Sequence, residues 1–209
     1  MTEIVVAIDA GTSGVRSIFF DTSGKVLSMT YREFNSSFPH PSWVEQDAEL
    51  WWSTACASIR HSISTDTIHT KDIVAVSITN QRETVVPVDG LGKPLRPAIV
   101  WQDRRTTEQC EWIQSAISPK RIYSTTGLTI DPYFTAPKLL WMKEREPGIF
   151  KSAHKFLLVH DFILNRLTGE FVTDFSNASR TMLFDITKCK WSEKMLTAFG
   201  IPEDKLPRL

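Results

Sequence analysis

The first 34 residues alternate apolar runs with short glycine-bearing breaks, and this rhythm limits the fold more than any other feature of the chain. Residues 3–9 read EIVVAID, a continuous apolar run closing on an acid, which predicts a central strand buried on both faces. The break AGTSG follows, then VRSIFFD at 15–21, a Ser-Gly-Lys turn at 23–25, and a third β-rich run over 26–34. Three strands joined by short turns predict an antiparallel meander.

Further along, helix and strand patterns alternate, which predicts α/β architecture. Asp47 is placed to N-cap a helix running to about Ile63, whose apolar face is Ala48, Trp51, Trp52, Ala55, Ile59 and Ile63. A buried strand is expected over Ile73–Thr79, with strands at Thr84–Val88, Ala98–Trp101, Phe156–Val159 and Met182–Ile186. Helices are expected at Arg104–Ile117, Phe134–Arg145, Asp161–Thr168 and Ser192–Phe199. Pro137 is acceptable only in a first turn. No repeat or evident linker interrupts the pattern, so one compact domain over residues 1–209 is the simplest expectation.

Twenty-four basic residues balance 24 acidic ones, so binding to nucleic acid or to an anionic membrane surface is not expected, and phosphate recognition must be local. No apolar stretch approaches a bilayer span, and an acid stands third where a signal peptide would be basic; a soluble, cytoplasmic chain is expected. Cys56, Cys110 and Cys189 form no CxxC, and the five histidines form no ligand set.

Two clusters carry candidate chemistry. The opening unit is strand, Asp9, Gly11, Thr12, Ser13, Gly14, strand, without a GxxxxGK[ST] or a convincing GxGxxG. Such a turn can cradle phosphate with backbone N–H groups and hydroxyls, Asp9 holding Mg²⁺ through water and Arg16 adding a fixed charge. On spacing alone it reads first as an ordinary tight hairpin whose polar residues satisfy their own turn. In SITNQRETVV, four polar residues, Asn80 to Glu83, interrupt an apolar pattern. Arg82 as donor and Glu83 as acceptor match the neighbouring hydroxyls of a polyol, or form a structural ion pair at a sheet edge. Trp101 and Tyr133 fit the wall of a polyol pocket, or the core.

The blocks IDAGTSGVRSIFFD, WVEQDAELWW, SITNQRETVV, GKPLRPAIVWQDRRT, TGLTIDPYFTAPKLLWM and FVTDFSNASRTMLFDI, in this order, resemble the N-terminal half of the FGGY family of carbohydrate kinases, and within it the glycerol kinase branch. The resemblance implies a ribonuclease-H-like, actin-type α/β domain, a mixed sheet with an N-terminal antiparallel meander flanked by helices. It implies ATP and Mg²⁺ as cofactors. Asp9 looks like the metal-associated acid, Gly11, Thr12, Ser13 and Gly14 like the phosphate loop, and Arg16 like its adjacent cation. Arg82, Glu83 and Tyr133 look like the polyol contacts, with Trp101 behind the carbons. Ala10 stands where glycerol kinases usually carry glutamine, and Gly14 where they usually carry serine, which removes one hydroxyl donor.

The activity so implied is ATP-dependent phosphorylation of a primary hydroxyl of glycerol or a related polyol. The alternatives are a pentulose (xylulose-type) kinase and a non-catalytic polyol-binding module. Family members are more than twice as long, so the general-base aspartate and the C-terminal nucleotide-binding domain are expected beyond residue 209. The chain alone should turn over negligibly, and apolar surface facing that absent domain predicts self-association into a homo-oligomer.

Overall fold

In the computed structural model, residues 3–64 and 68–209 are described. In chain order the elements are β1 (Ile4–Ala10), β2 (Gly14–Asp21), β3 (Val26–Glu33), β4 (Glu45–Gln46), α1 (Ala48–Ile63), β5 (Ile73–Asn80), β6 (Val85–Val88) and β7 (Ala98–Ile99). There follow α2 (Thr107–Ala116), α3 (Pro119–Thr126), α4 (Thr135–Arg145), α5 (Pro147–Ser152), β8 (Lys155–Leu158), α6 (Val159–Thr168), α7 (Phe175–Ala178), β9 (Phe184–Asp185), β10 (Lys190–Trp191) and α8 (Glu193–Phe199). They gather into two compact units, one made of the chain up to Ser36 with Ala48–Gln81, the other of Ser37–Asp47 with Arg82–Leu209.

The first unit is a mixed sheet in the order β3-β2-β1-β5, with the expected antiparallel meander and β5 added parallel to β1. β1 is central, but only one face is fully buried: Ile4, Val6, Ile8 and Ala10 point inward, whereas Val5, Ala7 and Asp9 are half-buried. Period-two geometry separates the two sets, and the apolar run concealed this difference. Helix α1 begins one residue past Asp47 and packs on β2 and β3. Its buried face is Ala48, Trp51, Ala55, Ser58 and Ser62, so Trp52, Ile59 and Ile63 lie on its flank, and Ile59 and Ile63 still pack against the Ile4, Val6 and Phe19 cluster. The two serines are admitted because each hydroxyl has a partner: Ser58 donates to the Ala55 carbonyl, and Ser62 meets Thr30 at 2.9 Å.

The expectation of a buried strand at Ile73–Thr79 fails in one respect. The strand forms, but it is an edge, and Val74 and Val76 are 56% and 49% exposed. Apolar composition marked the strand without saying what covers it.

In the second unit a sheet ordered β4-β7-β6-β8 is antiparallel throughout, and a separate β9–β10 pair stands apart from it. Its core gathers residues such as Ile99, Ile113, Leu139, Met142, Phe156 and Phe199. The helix expected from Arg104 begins at Thr107, because the preceding residues are held elsewhere: the Arg104 N–H donates to the Ser42 carbonyl, and Asp103 and Arg105 join a buried ion network. Helix α6 starts at Val159 and not at Asp161, whose carboxylate accepts the Leu158 N–H at 2.9 Å and so caps the first turn. The expected strand Met182–Ile186 is reduced to Phe184–Asp185, with Met182 at φ 64°. Pro137 falls within the first turn of α4.

Gly14 has a packing reason. A Cβ there would come within 2.8 Å of the Tyr31 ring and hydroxyl, and closer still to the Arg32 carbonyl on the neighbouring strand. Gly14→Ser should therefore destabilise the protein by about 2 kcal/mol, read from the urea midpoint. Adding Tyr31→Ala should restore only part of it, because the backbone carbonyl cannot retreat.

Candidate active site

The turn between β1 and β2 is closed by the Gly11 N–H donating to the Gly14 carbonyl at 2.9 Å, and the Ser13 carbonyl accepts the Phe34 N–H at 3.1 Å. A Cβ on Gly11 would make only ordinary contact, at 3.5 Å from the Gly14 carbonyl, so packing does not demand glycine there. Thr12 is half-buried and Ser13 exposed. Asp9 and Arg16 are cross-strand neighbours, 3.6 Å apart, and both remain about two-fifths exposed. The Arg16 guanidinium also lies over Tyr31 at 5.3 Å. A single half-open carboxylate suits Mg²⁺, which keeps most of its waters and needs few protein ligands. Among the described residues no three His, Cys, Asp or Glu side chains converge as a closed metal cage.

The second unit assembles Glu83, Tyr133 and Trp101. Glu83 is 1% exposed and sits at φ 66°, a left-handed conformation that costs a glutamate energy unless its surroundings impose it. Its carboxylate takes the Arg180 Nε–H at 2.5 Å. Tyr133 lies beside the same carboxylate, and burial together with that negative charge raises the phenol above its ordinary range. Trp101 meets the Tyr133 ring edge-on at 5.4 Å, and the Trp101 backbone N–H donates to the Thr84 hydroxyl at 3.1 Å. Arg180 continues over the rings of Tyr133 and Phe134 at 5.7 and 5.0 Å. The result is one buried carboxylate, one phenol and one guanidinium beside an indole edge, a set of donors and acceptors suited to a small polyhydroxy compound.

Arg82 stands apart from this group: its side chain is exposed and has no hydrogen bond or ion pair among the described residues. The partner of Glu83 is thus Arg180, 97 residues away, and not its sequence neighbour.

Three contributors had no periodic or spacing signal. Arg180 lies inside the NASRT segment, Thr135 donates weakly to the Glu83 carbonyl at 3.4 Å, and Lys138 is fully buried in the first turns of α4. The Lys138 ammonium donates to the carbonyls of Glu83 and Tyr133 at 2.9 and 2.7 Å. Burial pushes its pKa down to about 7, although Glu83, Asp103 and Asp131 favour the charged form.

The sequence profile of the FGGY family of carbohydrate kinases, N-terminal domain, matches residues 4–209. The chain belongs to this family. Its FGGY relatives include the glycerol kinase of Thermococcus onnurineus, 43% identical across the whole of this chain, and that of Myxococcus xanthus, 41% identical over 98% of it. The chain spans about 43% of the length of each of these relatives. Among solved FGGY structures, Plasmodium falciparum glycerol kinase with ADP superposes at TM-score 0.90 with 29% identity, covering 99% of this chain and 43% of that one. Xylulose kinase from Rhodospirillum rubrum superposes at 0.92 with 25% identity, covering 98% and 42%. The fold is the actin-like ATPase type that these FGGY kinases share.

Arg180→Met should strand the Glu83 carboxylate without its cation and cost about 3 kcal/mol in denaturant titration. Removal of both charges with Glu83→Gln should recover much of that loss. For Lys138, the folded amine holds its proton less tightly than the unfolded one, whose ordinary value is 10.5. Its contribution to stability is therefore present above that value and is lost as pH falls through about 7. The stability of the wild type relative to Lys138→Met should rise as pH is raised through this window, measured by unfolding at a series of pH values.

Proposed function

We propose that this chain supplies the phosphate-loop and polyol-orienting portion of an ATP-dependent kinase that phosphorylates a primary hydroxyl of glycerol. The observation that carries the reading is the buried Glu83 carboxylate, paired with Arg180 and with Tyr133 and Trp101 alongside. A carboxylate has acceptor sites beyond the one that Arg180 takes, so neighbouring hydroxyls on a short carbon chain can donate to Glu83 and to the Tyr133 oxygen, with the exposed Arg82 guanidinium donating from outside the cluster and the indole against the carbons. Relatives named glycerol kinase, at about 40% identity over the whole chain, support the choice of polyol.

In the reaction, the acceptor oxygen attacks the γ-phosphorus of ATP, the bond to the ADP oxygen breaks, and the hydroxyl proton passes to a base supplied from outside these 209 residues. Such transfer depends on positioning and charge neutralisation more than on covalent chemistry. The turn from Gly11 to Gly14 would receive phosphate oxygens on backbone N–H groups beyond that of Gly11, which closes the turn, and on the hydroxyls of Thr12 and Ser13, and Arg16 would add a cation. Asp9 would hold Mg²⁺, which when bound neutralises charge on the phosphates. Because packing leaves Gly11 free to carry a side chain, its glycine suits close approach of an anion to the backbone.

Xylulose kinases of the same fold keep a pentulose in view as a second acceptor class. Calorimetric titration with glycerol and with xylulose, and an ADP-release assay on this chain and on a longer polypeptide, separate the outcomes. Glycerol should bind and xylulose should not, and the short chain should turn over negligibly. Glu83→Gln should weaken glycerol binding roughly thirtyfold, the equivalent of about 2 kcal/mol for a hydrogen bond to a charged group. Unchanged affinity in that variant refutes the assignment of Glu83. Glycerol binding without turnover in any longer polypeptide points to a binding module.

A further inference from the structure

We propose that Lys138 is a positioning residue for the polyol site: its buried amino group bridges the Glu83 and Tyr133 carbonyls and sets the spacing at which those two side chains meet a ligand. The inference rests on the polyol-kinase reading and names a residue that touches no substrate in it. Glu83 lies just ahead of β6 and Tyr133 just ahead of α4, and no strand pairing joins these two stretches. The connection between them includes one side-chain nitrogen, at 2.9 Å from one carbonyl and 2.7 Å from the other. The Thr135 hydroxyl reaches the Glu83 carbonyl only at 3.4 Å.

The left-handed backbone of Glu83 needs an anchor to persist, and the bridge is placed on that residue's own carbonyl. The bridge also survives a change of charge, because a neutral amine keeps two N–H bonds, one for each acceptor. Mere filling of this fully buried space would be met by methionine at a similar volume and without the desolvation of an amine.

Glycerol titration calorimetry on the wild type, Lys138→Met and Lys138→Gln tests the assignment. Lys138→Met should bind at least tenfold more weakly, with the binding stoichiometry and a cooperative unfolding transition retained. Lys138→Gln, whose shorter amide reaches one carbonyl at most, should fall between. A residue of purely structural importance would lower the fraction of competent molecules and leave their affinity unchanged, and that result overturns the proposal. If Lys138→Met does not fold, Lys138→Gln decides by the same criterion. A wild type that binds no polyol refutes the functional reading separately. The bridge is then judged from the crystal structure of the folded variant: Glu83 still left-handed with the Glu83 and Tyr133 carbonyls at their wild-type spacing refutes it, and a displaced pair supports it.

Discussion

Glu83 holds a carboxylate out of water on a backbone that glutamate does not favour, and its surroundings in the second unit answer that demand. A charge with 1% of its surface exposed must be matched by cations and hydrogen bonds at close range. Arg180 comes from far along the chain to supply the cation, and its guanidinium also lies over the Tyr133 ring. Lys138 and Thr135 fix the main chain from the first turns of α4. The helix start, the Arg180 segment and the strand exit are thus tied together by the needs of one side chain.

A second arrangement of the same kind explains the polar residues that follow Trp101. The Arg105 guanidinium is fully buried, paired in a fork with Asp103 at 2.9 and 2.7 Å, and stacked over Trp43 at 3.7 Å with Trp141 on another side at 4.9 Å. Glu45 binds both Arg105 and Arg96, and Arg96 reaches on to Glu146. Asp103 also accepts the Val44 N–H at 2.6 Å, so the network pins the Ser37–Asp47 segment to the remainder of its unit. Buried ion clusters contribute little net stability, yet removal of one member is costly because it leaves its partners charged and unpaired.

Local rules carried far into this fold. The meander, the start of α1 and the first-turn Pro137 were all legible, because strand alternation, capping and proline chemistry act within a few residues. Helix α3 carries local signals of its own, Pro119 at the start and Gly127 in the left-handed region at the end. The exposure of β5, the displaced face of α1 and the truncated start of α2 were not legible, since each depends on what lies across from the element. At the candidate site the sequence offered Glu83, Tyr133 and Trp101 as separate residues, and the structure places them together. It could not offer Arg180 or Lys138, because a lone arginine in a polar segment and a lysine in an amphipathic helix read as surface residues until burial is known.

The open edge of β5 bears on how the protein behaves in concentrated solution. Its outer side presents a row of amide and carbonyl groups with no neighbouring strand among the described residues, and Val74 and Val76 carry apolar surface beside them. Such an edge is a template on which any extended apolar segment can add a strand, and it holds no proline or lysine between Ile73 and Asn80 to discourage that growth. The same backbone that steadies β1 is therefore a seed for aggregates when the chain is overproduced, and a charged gatekeeper at Val74 or Val76 is the engineering remedy that the geometry invites.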